Sequence, residues 1–162
     1  MNIDKQHLKN KIISQLEVEL QNAMASADSA RKEATDDQSV AETQYDTLGL
    51  EASYLAHGQS ERAAQLIEQI QAYKALEFRQ FDEDDAIAIS AVIQLQSLDA
   101  MATQHYFIGP FAGGMQINVR DITITVITPN APLARELIGL YQDDEFTWPS
   151  DSGHKRVISG LI

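Results

Sequence analysis

The 162-residue chain has no cysteine. That excludes a disulfide framework, a thiolate zinc site and a thiol nucleophile. No apolar run has the length needed to cross a bilayer, and "MNIDKQHLKNK" leads into mixed residues rather than the apolar core of a signal peptide, so the expected location is the cytoplasm, with no membrane partner. Bases are scarce: 12 Lys and Arg stand against 24 Asp and Glu, a formal charge of −12. A protein that grips nucleic acid by its phosphates needs a basic face, so direct sequence-specific nucleic-acid binding is not expected. One local exception is Lys5, Lys9 and Lys11, which read as a solvated helix face.

Proline is absent from the first half. All four prolines, and six of the eight glycines, lie beyond residue 80. Before that point Ala, Gln, Glu, Leu and Lys dominate, all good helix formers. Leu8, Ile12, Leu16, Leu20, Ala23, Ala27, Ala30 and Ala34 recur at steps of three or four, one apolar seam that shrinks from leucine to alanine. Tyr45, Leu48, Ala52, Leu55, Ala63, Leu66, Ile70 and Tyr73 resume the spacing, less regularly around Gly58. Two seams with a polar break predict an antiparallel coiled-coil hairpin over 1–80. Each helix of about 30 residues would span on the order of 45 Å.

The break, "TDDQSVAETQYD", holds Asp36, Asp37, Glu42 and Asp46 with hardly a base beside them. It would form the tip of the hairpin, either as a solvated turn or as its working end. Carboxylate oxygens suit Mg²⁺, but a pair of acids makes a tight site only with help from other ligands. Such a pair could complete a site supplied mainly by another protein, where a second Mg²⁺ activates water.

After the four consecutive acids Asp82 to Asp85, read as a solvated linker, the hydrophobic period switches to two. "AIAISAVIQLQ", "HYFIGPF", "MQINVRDITITVIT", "DEFTWP" and "KRVISGLI" read as strands. Gly113-Gly114 marks a turn, and "TPNAPLARELIG" a short helix capped by Asn130 or Thr128, with Pro132 in its first turn and Gly139 at its end. The fold class expected is therefore α+β: the hairpin followed, over 81–162, by an antiparallel β domain with one short helix.

His7, His57, His105 and His154 show no ligand spacing, and HExxH, GxGxxG, P-loop and GxSxG patterns are missing. Without a nucleophile and base pair the chain is not expected to be an enzyme, to have catalytic residues of its own, or to bind a cofactor tightly.

The string "ITPNAPLARELIGLYQDDEF" resembles the C-terminal signature of the bacterial Gre transcription elongation factors, GreA and GreB, at Pro132, Leu133, Ala134, Leu137, Ile138, Gly139 and Asp144, with Ala131 in place of a serine. "AIAISAVIQLQ", "QHYFIG" and "TWPSDSGHKRVISGLI" are similar to the family's strands, and "ARKEATDD…ETQYD" to the segment around its acidic tip. The resemblance implies an FKBP-like second domain that docks on RNA polymerase at the secondary channel. It further implies a hairpin whose tip acids help hold the second catalytic Mg²⁺ while the polymerase cleaves backtracked transcript. The docking residues carried over are Pro132 and Asn130, the latter where the family often has an acid. Counting back from Tyr45, the family's tip Asp and Glu positions hold Gln38 and Ala41; Asp37 and Glu42 are each displaced by one residue, with Asp36 and Asp46 close by. A step of one residue turns a helical side chain by about 100°. Two activities therefore stand open, stimulation of cleavage and occupation of the channel without it.

Outside that family, a prolyl isomerase would need an aromatic-lined pocket, and Trp148 has few aromatic companions. A dimeric scaffold would need an open seam, whereas a hairpin closing on itself is expected to be a monomer.

Overall fold

The computed structural model describes residues 3–35, 48–82, 84–97, 102–147 and 155–162. Two long helices come first, α1 over Lys5–Ala34 and α2 over Leu48–Ala75. Six strands and a short helix follow among the described residues: β1 (Val92–Ser97), β2 (Thr103–Ile108), β3 (Gln116–Val119), β4 (Ile122–Ile127), α3 (Pro132–Leu137), β5 (Glu145–Thr147) and β6 (Lys155–Leu161). The chain divides into two compact units, Ile13–Gln71 and the remainder, so the first turns of α1 and the last turn of α2 belong with the sheet.

The start of α1 is fixed by Asp4, whose Oδ1 accepts from the backbone N–H of Gln6 at 2.9 Å and of His7 at 3.1 Å. This satisfies amides that no preceding turn can reach. Arg31 and Lys32 sit in its last turn, where positive charge favours the carbonyl end. Within the hairpin unit, Met24, Ala27, Asp28 and Arg31 of α1 and Ser60, Ala63, Ala64 and Ile67 of α2 line one groove. Lys9 reaches the Lys74 carbonyl and Glu19 meets Arg62, so rising numbers on one helix meet falling numbers on the other and the pair is antiparallel. Arg62 donates to Glu19 across the same pair at 2.9 Å.

The seam on α1 follows the sequence pattern, with Leu8, Ile12, Leu16, Ala23, Ala27 and Ala30 buried. On α2 the distal half departs from it. Leu48 and Leu55 are 66% and 53% exposed, and the buried position is Ala56. The α1 residues at that end are alanines. Closely approaching alanine surfaces admit a methyl but no isobutyl group, so the seam passes one residue further along and the leucines face outward. Gly58 causes no break in the helix.

The sheet has the order β3-β4-β2-β1-β6-β5. Neighbours are antiparallel except β2 and β4, which run parallel with His105 opposite Ile124 and Ile108 opposite Ile127. The sheet is therefore mixed, because the β3–β4 hairpin folds back to place its second strand against β2. Arg120, in the left-handed region at φ 54°, turns that hairpin. "AIAIS" does not belong to β1: Ser90 adopts φ 71° and donates its N–H to Ile108 O at 2.9 Å, so the strand starts at Val92. One core packs Ile93, Leu95, Ile108 and Ile158 with Ala134 and Leu137 of α3 and with Phe81 and Ile87. Phe78 stacks on Phe107, their ring centroids 5.0 Å apart.

Candidate functional site

Of the two residues expected from sequence to dock, Pro132 lies on α3 and Asn130 in the turn before it, and this setting sorts the signature string by task. The N-cap of α3 is Ala131, with no side-chain cap bond, so neither Asn130 nor Thr128 caps it. The Ala131 N–H instead donates to Thr128 O at 2.9 Å, closing a turn that leaves Asn130 exposed. Pro132 follows at the first helical position, where no amide hydrogen is needed, and is exposed.

Most of the other signature residues have structural tasks. Ala134 and Leu137 are fully buried, and Leu133 packs partly against the same core. Gly139 takes φ 91° after the helix ends, and its N–H donates to Ile87 O at 2.9 Å. The returning bond, Ile87 N–H to Leu140 O at 2.8 Å, ties the helix exit to the segment before β1. Asp144 accepts from the Tyr141 N–H at 2.8 Å in the turn leading to β5. Pro132 and Ile138, the latter 41% exposed, are thus the signature side chains left facing solvent. Ile138 went unremarked as a surface residue in the sequence, although it lies one position beyond the buried Leu137 and so points away from the core.

Asp36, Asp37, Glu42 and Asp46 lie outside the described residues. Among the described residues no group of three or more His, Asp or Glu side chains converges as metal ligands would.

The expected solvated face at the start of α1 holds for Lys11, which is exposed, but not for Lys5, which is buried, and only partly for the half-buried Lys9. Lys5 is 3% exposed, donates to the Arg79 carbonyl, and sits 4.6 Å from the centre of the Phe81 ring. The Arg79 guanidinium lies 4.3 Å from the same ring and pairs with Asp85 at 2.5 Å. Burial, with a smaller contribution from the Arg79 charge, pulls the Lys5 amine down to about 8. Lys9 donates to the carbonyls of Lys74 at 3.1 Å and Leu76 at 2.8 Å, neutralising the carbonyl end of α2. Lys11 reaches Asn118 O at 2.9 Å on β3. The acidic linker is likewise partly organised: Asp85 also accepts from the Asp82 N–H, at 3.1 Å.

His105, half-buried on β2, is held below the usual histidine range by burial. No described helix is long and apolar enough to cross a membrane.

No protein-family model and no curated protein matches the chain. Among solved structures it is similar to GreA factor homolog 1 (Gfh1) of Thermus thermophilus, at 15% identity over 93% of this chain and 94% of that one, with a TM-score of 0.39. Thermus aquaticus Gfh1 gives 14% identity over 94% and 92%, with a TM-score of 0.38. The transcription elongation factor GreA/GreB from Nitrosomonas europaea gives 15% over 64% and 78%, with a TM-score of 0.37.

Proposed function

We propose that the chain is a Gre-like transcription factor that binds RNA polymerase at its secondary channel, with α3 and its flanking turn as the docking surface and the helical pair as the inserted probe. The observation that carries this reading is the setting of the signature string: Pro132 is exposed at the start of α3 while Ala134 and Leu137 anchor that helix in the core. The antiparallel pair α1–α2, joined through residues 36–47, supplies a probe with acids at its end. The protein acts as a cytoplasmic monomer with no catalytic activity of its own. Asp37 and Glu42, with Asp36 and Asp46 nearby, offer carboxylate oxygens to an Mg²⁺ held mainly by the polymerase, a hard cation that takes oxygen ligands.

A second reading is favoured by one observation. Gln38 and Ala41 occupy the places where the resemblance would put the two metal-directed acids. A protein so altered would occupy the channel and exclude cleavage rather than stimulate it.

Transcript cleavage in a backtracked elongation complex with Mg²⁺ separates the readings, provided polymerase binding is measured in parallel. Cleavage that is lost in Asp37→Ala and Glu42→Ala supports metal delivery by the tip. Binding without cleavage supports the channel-occupying regulator. Absence of binding defeats both.

A further inference from the structure

We draw no further inference here: the strongest candidate, the apolar groove of the helical hairpin lined by Met24, Ala27, Arg31, Ala63 and Ile67, is bordered by charges of both signs, and nothing in the structure shows what covers it.

Discussion

The Tyr73 hydroxyl donates to the Phe111 carbonyl at 2.8 Å and occupies space that a Cβ on Gly109 would need, 2.2 Å from where that atom would stand. Gly109 is thus a glycine for want of room. Gly109→Ala should cost about 2 kcal/mol or more, since a packed site cannot absorb an added carbon. Tyr73→Phe should cost about 1–2 kcal/mol by stranding the carbonyl. Because removing the hydroxyl also frees space, the double variant should lose less than the sum. Urea unfolding of all four proteins measures the coupling; strict additivity would refute the close approach.

Gly58 presents the opposite case. It lies in α2 with nothing within 4 Å of a Cβ built on it. Gly58→Ala should raise stability by about 0.5–1 kcal/mol, by lowering the backbone entropy of the unfolded chain and adding a better helix former. Thermal unfolding followed at 222 nm would register the gain, and a loss would contradict an open, regular helix at this point.

For Lys5, the amine titrates near 8 in the folded protein, against an ordinary value of 10.5. Between those values the unfolded chain holds more protons, so stability should rise with pH across that window. Tyr73, raised by burial, works the other way above its ordinary value of 10.0, because the unfolded chain then loses its proton first. The expected profile climbs from about pH 8 and turns over near pH 10. Lys5→Met should flatten the climb and, by removing a buried charge, leave the protein as stable at pH 7 or more so by on the order of 1 kcal/mol. Denaturant midpoints from pH 6 to 11 test both statements; a wild-type profile with no climb would overturn them.

Pro132 provides a test of docking that spares the fold. It is exposed and makes no core contact comparable to those of Ala134 or Leu137. Pro132→Ala should weaken polymerase binding about tenfold, or roughly 1.4 kcal/mol, with an unchanged circular dichroism spectrum. Asn130→Asp, which adds the charge often found in the Gre family, should tighten it. Equal affinity across the three proteins would remove this turn from the interface.

The large periodicities were legible in the sequence because they report burial directly. Leu8, Ile12 and Leu16 on α1, and Leu66, Ile70 and Tyr73 on α2, are buried as their spacing predicts. Legibility failed where the partner surface decides. Leu55 and Ala56 are both plausible seam residues until one knows that the facing helix offers alanines. Lys5 looked solvated because a charged side chain is normally exposed, and its carbonyl and ring partners lie more than seventy residues away. The strand reading of "AIAIS" failed at Ser90, whose positive φ is set by the tertiary bond to Ile108 rather than by local preference. At the turn before α3, the sequence pointed correctly to Pro132 at the helix start but assigned the cap to a side chain when Ala131 fills it. The expectations for Asp36, Asp37, Glu42 and Asp46 fall outside the described residues.

The position of β6 between β1 and β5 also matters during synthesis. It is translated after every other strand of the sheet, yet it is an interior one, bonded to β1 from Ile93 to Ser97. A nascent chain that has already made β1 through β5 therefore presents β1 with a bare hydrogen-bonding edge and leaves β5 with no neighbour in the sheet. The ribosome must deliver Lys155–Leu161 before this sheet can close, and until then the exposed edge of β1 is the place where a second nascent chain could add a strand in error.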